Sequence, residues 1–231
     1  MNPEESVYSI YEVMSMKKGA IFDMDGTLLD TEKHYSRGWL VVADDFGLAR
    51  NPDLPSAMSG TGWDAMSEKL HKFYPEVDAD AYTEKVIAYA KAHIGNRPEL
   101  MPGTMELLRY FQTQKIPMAV ASSSDRAVIE EKLQQSGIIS YFDVLIGGDE
   151  VTHGKPDPEI FLKAAAALHL PIEDCYVFED SFNGVRAGAA SGALTVMIPD
   201  QVPPTEEISS LCVLHDSLLE AKEAIQSGIL N

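Results

Sequence analysis

Residues 19–31 read Gly19-Ala20-Ile21-Phe22-Asp23-Met24-Asp25-Gly26-Thr27-Leu28-Leu29-Asp30-Thr31. An uncharged apolar run followed by two carboxylates, one residue apart, and then a glycine predicts a short buried strand that releases Asp23 and Asp25 at the carboxyl edge of a sheet. That edge is where open α/β folds bind their ligands. Two carboxylates held together there are costly unless a cation offsets them or one keeps a proton. Magnesium commonly uses one or two carboxylates together with phosphate oxygens. A surface turn carrying paired aspartates is the competing reading, and the strand before the pair and Gly26-Thr27 after it weigh against that.

Working outward, four more apolar runs read as strands: Pro117–Ala121, Val144–Gly147, Cys175–Phe178 and Leu194–Ile198. They are continuous rather than alternating, as expected of strands covered on both faces of a parallel sheet. Helical patterns lie between them, over Ala127–Gln135, Pro158–Leu168 and Phe182–Ala190, with Ser-Gly stops after the first and third. This alternation predicts an α/β fold, a doubly wound parallel-sheet (Rossmann-like) core with right-handed crossovers. Residues 35–97 break the rhythm. Trp39, Val42, Ala43 and Phe46 recur at helical spacing, as do Met66, Leu70 and Phe73, and then Tyr82, Val86, Ile87, Tyr89 and Ala90. Pro52, Pro55, Pro75 and Pro98 punctuate the set. The reading is an α/β core over residues 1–34 and 98–231 and an inserted all-helical cap over 35–97. Residues 1–18 are an N-terminal extension, irregular or a short helix, and Pro199–Glu207 reads as a surface loop.

The chain of 231 residues carries 36 acidic against 18 basic side chains, a net charge of -18. Nucleic acid and anionic membrane are therefore poor partners. The same charge repels a phosphorylated metabolite, so a phosphate site needs a local source of positive potential such as a metal ion and a lysine. No stretch approaches the roughly 20 apolar residues that span a bilayer, and the first 18 residues lack the apolar region of a signal peptide, so a cytoplasmic location is expected. Cys175 and Cys212 are too few for a thiolate zinc site or a disulfide framework and are expected to pack as small hydrophobes.

Three further clusters follow predicted strands. Ser122, in Ala121-Ser122-Ser123-Ser124-Asp125, stands before a helix, where a hydroxyl and free backbone donors cradle phosphate oxygens. Helix capping is the alternative there, and at least one of Ser123 and Ser124 is expected to cap. Lys155 sits in Gly154-Lys155-Pro156-Asp157-Pro158, stiffened on both sides. Glu179 and Asp180 follow the strand Cys175–Phe178, with Ser181 and Asn183 placed to orient their loop.

These four clusters, in this order, resemble motifs I to IV of the haloacid dehalogenase-like hydrolase superfamily over about residues 19 to 198. Within it the chain is most similar to the branch containing β-phosphoglucomutase and sugar-phosphate phosphatases. The resemblance implies that Asp23 attacks phosphorus, giving an aspartyl phosphate, and that Asp25 is the general acid/base, with Ser122 and Lys155 stabilising the transferring group. It also implies a Mg²⁺ shell drawn from Asp23, Asp180, the Asp25 backbone carbonyl and, through water, Glu179. An ionised nucleophile beside a like charge fits a proton carried by its neighbour.

The resemblance also bears on what the cap selects. A mutase must shield its aspartyl phosphate from water until the sugar bisphosphate reorients, whereas a phosphatase admits water. Where the mutase has a histidine four residues after the threonine matched by Thr31, this chain has Tyr35. His34 is one residue early, turned by about 100° on a helix. The mutase's cap arginine, three residues after the glycine matched by Gly60, falls at Trp63. Both departures favour a phosphatase over a phosphosugar mutase. Tyr35 and Trp63 either face a compact alcohol or pack inside the helical unit, and Trp39 is expected to pack. Arg126 is a candidate substrate contact or else a solvated first-turn residue. The expectation is thus a Mg²⁺-dependent, monomeric phosphatase for a small phosphorylated metabolite, probed further as sugar or polyol phosphates. The rivals are a β-phosphoglucomutase-like phosphosugar mutase and a non-catalytic metabolite-binding domain.

Overall fold

The computed structural model describes residues 16–59, 63–200 and 203–230, with the side chains at 63 and 64 left aside. The N-terminal extension read over residues 1–18 therefore lies almost wholly outside the described residues.

The opening stretch forms β1 (Gly19–Phe22), every residue buried. It is central in a six-stranded sheet with β2 (Met118–Ala121), β3 (Val144–Ile146), β4 (Cys175–Glu179), β5 (Leu194–Met197) and β6 (Val213–Leu214), in the order β3-β2-β1-β4-β5-β6. All five pairings are parallel; Ala20 lies opposite Met118 on one side and Tyr176 on the other. The chain builds β1 to β3 outward, then returns to the far side of β1 for β4. This reversal opens a crevice at the carboxyl ends of β1 and β4, the place where doubly wound sheets hold ligands.

Pleating sends alternate residues of each strand to opposite faces. Ala20, Phe22, Val120, Tyr176 and Phe178 join Leu107, Leu108 and Phe111 of α5 (Thr104–Gln114), Ile129 and Leu133 of α6 (Arg126–Gln135), and Leu218 and Ile225 of α10 (Leu218–Gln226). Ile21, Ala119, Ala121 and Val177 face the other way, onto Ile160, Phe161 and Ala164 of α7 (Glu159–Ala167) and Ala187 of α8 (Phe182–Ser191). Phe22 and Phe178 stack across β1 and β4 with centroids 4.8 Å apart, which closes the first face just below the site. Both sheet faces are covered, as the unbroken apolar runs require.

Among the described residues between β1 and α5 the regular elements are helical: α1 (Glu32–Val41), α2 (Leu54–Met58), α3 (Trp63–Phe73) and α4 (Ala79–Ile94). They carry a core of their own, in which Trp39, Val42, Leu54, Met58, Leu70, Tyr82 and Val86 meet. Trp39 is buried and stacks on Tyr82 at 5.9 Å, the packing role expected of it. The outgoing and returning chain run side by side at the junction: Asp30 N–H donates to Glu99 O at 2.9 Å and Met101 N–H to Leu28 O at 3.0 Å. Cys175 is buried and Cys212 half-buried, both as free thiols. The expected loop over Pro199–Glu207 gives way at its end to α9 (Glu206–Ser209), capped by Thr205, whose hydroxyl accepts from Ile208 N–H.

Candidate active site

Asp23 follows β1 directly, and its own N–H donates to Phe178 O at 2.9 Å, so the sheet ladder fixes its backbone. Lys155, 1 % exposed, donates to Asp23 Oδ1 at 2.6 Å, to Glu179 Oε1 at 2.6 Å and to Ala121 O at 3.1 Å. One ammonium from the loop after β3 thus ties together the ends of β1, β2 and β4. Burial works against its charge, and the Asp23 and Glu179 carboxylates outweigh that and raise its pKa.

The other oxygen of Glu179 accepts from the backbone N–H of Asp180 and of Ser181 and from the Ser181 hydroxyl, each at 3.0 Å. Ser181 Oγ in turn accepts from Gly184 N–H and so caps α8. Glu179 is completely enclosed, and a Cβ on Gly184 would run into its carboxylate, so only glycine lets α8 approach this closely. Asp180 is oriented by Thr27, whose hydroxyl donates to Asp180 Oδ1 at 3.1 Å. Gly26, at φ 87°, leaves room for the Asp180 carboxylate that any side chain would invade.

Asp23, Glu179 and Asp180 bring one carboxylate oxygen each to within 4.8 Å of the others. Two of these three buried carboxylates, Asp23 and Glu179, share the Lys155 ammonium, and Asp180 stands beside them. Burial raises the pKa of Asp23, opposed by Lys155 and reinforced by Glu179; burial followed by Glu179 and Asp23 does the same to Asp180. An all-oxygen set with excess negative charge, beside a space kept clear by Gly26, fits a hard divalent cation. Lys155 meets part of the demand for local positive potential, and such an ion would supply the rest.

The Asp25 carboxylate turns elsewhere. Its Oδ1 accepts from the Thr31 hydroxyl and from Lys132 Nζ, the latter at 2.6 Å, and its Oδ2 from the Ser124 hydroxyl at 3.2 Å. It stands outside the three-carboxylate cluster, so of Asp25 the backbone carbonyl, rather than the side chain, is left as a contributor to a metal shell.

A cavity of about 70 Å³ lies between the sheet edge and the helical unit, lined by Asp23, Asp25, Ser122, Ser123, Ser124 and Asp180 below and by Glu32, Tyr35, Trp39, Met58, Met66 and Val86 above. Ser122 and Ser123, both named from the sequence, line this cavity. The expected capping role of Ser123 or Ser124 is corrected: the N-cap of α6 is Asp125, without a side-chain bond, and Asp149 accepts the Arg126 N–H at 2.8 Å instead. Tyr35 lines the cavity, while His34 turns aside to His93, ring centroids 6.3 Å apart. Trp63 opens α3, but its side chain, like Gly60, lies outside the described residues.

Arg126 is the correction among the substrate contacts. Its guanidinium donates to Glu130 Oε1 at 2.8 Å and to the Leu145 carbonyl, close to Glu150, and it does not line the cavity.

Lys132 was not singled out from the sequence, although it interrupts the apolar stripe of α6 between Ile129 and Leu133, and a cation in such a stripe needs a partner. Glu32 was also passed over. Its desolvated place on the cavity wall, and then the Asp25 and Asp200 carboxylates, push its pKa up to about 8. Ser124, Thr27 and Thr31 complete the missed set; hydroxyls in a turn carry little signal of what they will face.

A profile of the haloacid dehalogenase-like hydrolases matches residues 17–192. The chain is 32% identical over 209 residues to a Drosophila melanogaster protein named "Probable pseudouridine-5'-phosphatase", covering 87% of this chain and 90% of that one. It is 32% identical over 179 residues to "Phosphorylated carbohydrates phosphatase" of Thermotoga maritima, covering 76% and 82%. The crystal structure of β-phosphoglucomutase from Clostridium difficile shares the fold, with a TM-score of 0.77 at 22% identity over 94% of this chain and 100% of that one. A cluster of buried carboxylates gripped by a buried lysine, set in a family match that spans most of the chain, leads to one conclusion: this protein belongs to the haloacid dehalogenase-like hydrolases and is an enzyme, a phosphoric monoester hydrolase of that type.

Proposed function

We propose that the protein is a Mg²⁺-dependent phosphatase that hydrolyses small phosphate monoesters, sugar or polyol phosphates, through an aspartyl phosphate on Asp23. The observation that carries this reading is the meeting of Asp23 and Asp180 at the floor of one cavity, with Ser122 at its side and with Lys155 and Glu179 enclosed behind Asp23. Residues 35–97 serve as the cap and the remainder as the catalytic core. Asp23 and Asp180 would hold the ion, with the Asp25 carbonyl and with Glu179 behind them, and bound magnesium supplies neutralisation of phosphoryl oxygens.

The chain's own groups do the rest. Asp23 attacks phosphorus in line while Asp25 gives a proton to the departing alcohol oxygen; Asp25 then takes a proton from the water that opens the aspartyl phosphate. Lys155 keeps its ammonium on the nucleophile's carboxylate, and Ser122 offers its hydroxyl to the transferring group. The upper wall supports the choice of alcohol. Tyr35 and Trp39 present aromatic surface and Glu32 a polar group, a combination suited to a compact hydroxylated molecule. Tyr35, in place of the mutase's histidine, supports hydrolysis over isomerisation.

Phosphate release over a panel of sugar, polyol and nucleotide monophosphates, with Mg²⁺ or with chelator, tests the reading. Turnover that needs Mg²⁺ and falls by at least about 10³-fold in Asp23→Asn is expected. Isomerisation dependent on a bisphosphate activator, without phosphate release from any monoester, overturns it in favour of a mutase.

A further inference from the structure

Lys132 is 9 % exposed at its side chain and reaches Asp25 from a helix 107 residues further along the chain. Ile129 and Leu133, both fully buried, flank its stem on α6. Its Nζ lies 2.6 Å from Asp25 Oδ1, 3.3 Å from the Tyr35 hydroxyl and 5.0 Å from the centre of the Tyr35 ring. Asp25 and Tyr35 both line the cavity and Lys132 does not, so whatever it does for the reaction passes through them.

We propose that Lys132 is a positioning residue for the acid/base carboxylate, an inference that rests on the role given to Asp25 above. Asp25 Oδ1 accepts from Lys132 and Thr31, and Oδ2 from the Ser124 hydroxyl at 3.2 Å. Donors on both oxygens fix the orientation of the carboxylate at the cavity wall. As the bond from Asp23 to phosphorus forms and the bond from phosphorus to the ester oxygen breaks, a proton moves from the Asp25 carboxyl to the departing oxygen. Lys132 contributes by holding the plane of the carboxylate, anchored on its far side by Tyr35.

A misplaced acid matters most when the leaving alcohol is strongly basic and little when it departs readily as an anion. The test compares kcat/KM, which reports the steps up to loss of the alcohol, for an alkyl phosphate and for p-nitrophenyl phosphate, both with Mg²⁺. Lys132→Met, close in length and shape, is expected to lose about 10- to 100-fold on the alkyl ester and no more than about 3-fold on the aryl ester. An equal loss on both esters, or none on the alkyl ester, overturns the proposal. Should Lys132→Met fail to give a cooperative thermal transition, Lys132→Gln, which keeps a donor without the charge, carries the same comparison. Asp25→Asn is measured alongside. If it shows the leaving-group-dependent loss and the Lys132 variants do not, only the role of Lys132 fails; if Asp25→Asn does not show it, the acid/base assignment itself fails.

Discussion

Lys155 lives where a lone ammonium could not: it is almost completely enclosed, and its charge is held by Asp23 and Glu179 at 2.6 Å each. Removing one partner of a buried ionic group is far more costly than the group is stabilising, because the remaining charges lose their compensation. Lys155→Met leaves two buried carboxylates facing each other beside Asp180, and a loss of about 3–5 kcal/mol in urea denaturation is expected, together with loss of turnover. A variant of unchanged stability would show that these carboxylates are already relieved by other means. Asp23, Ser122, Glu179 and Asp180 were legible in the sequence because each stands at or just past the end of a strand, and the end of a parallel strand has one destination; Lys155, further along the loop after β3, was legible from the two prolines that stiffen its place. Arg126 and Lys132 were not, because their destination depends on helix phase. Six residues apart at 3.6 per turn, they point in different directions, and the one nearer to the serines in sequence is the one that faces Glu130 and Glu150.

At the scale of elements, the helical unit stands on a core separate from the two sheet faces, and a buried hydrogen bond stitches its first and last helices, α1 and α4. The Tyr82 hydroxyl of α4 donates to the Trp39 carbonyl of α1 at 2.7 Å, in a fully buried setting where the ring also stacks on Trp39 and Phe46. Tyr82→Phe keeps the rings and deprives that carbonyl of a donor, so a destabilisation of about 1–2 kcal/mol is expected in thermal or urea unfolding. Tyr82 does not line the cavity, and the ratio of alkyl to aryl ester turnover should stay at the wild-type value. The amphipathic periods of these helices were readable because Trp39, Val42, Ala43, Leu70, Tyr82 and Val86 all turn inward. The strand β6 was not, being two residues long with Val213 and Leu214 each more than a third exposed, too short and too wet for a pattern. The helices α5 and α10 escaped for a different reason. Their buried positions, Leu107, Leu108 and Phe111 in one and Leu218, Ala221 and Ile225 in the other, form short stripes that gain meaning only from packing on Phe22 and Tyr176, at the far end of the chain.

Across the whole molecule, a net charge of -18 surrounds a site meant for a dianion. Among the described residues no helix is long and apolar enough to cross a membrane. Cations do stand near the mouth: Lys69, Lys72 and Arg186 line a neighbouring cavity that shares Ser59 with the inner one. Two of them are offset on the spot, Lys72 by Glu68 at 3.0 Å and Arg186 by Glu207 at 2.9 Å, so their reach is short. An approaching phosphate ester therefore meets net repulsion until it is close to Lys155 and to the cation that the acidic cluster would hold. Salt shortens that repulsion, from a screening length of about 30 Å at 0.01 M to about 10 Å at 0.1 M. With Mg²⁺ saturating, kcat/KM for a dianionic monoester should rise over that range of NaCl, while kcat, measured once the ester is bound, should not change. A fall in kcat/KM with salt would mean that the cations by the mouth outweigh the rest of the surface and draw the ester in, and the substitution Lys72→Glu should then lower kcat/KM most at the lowest salt.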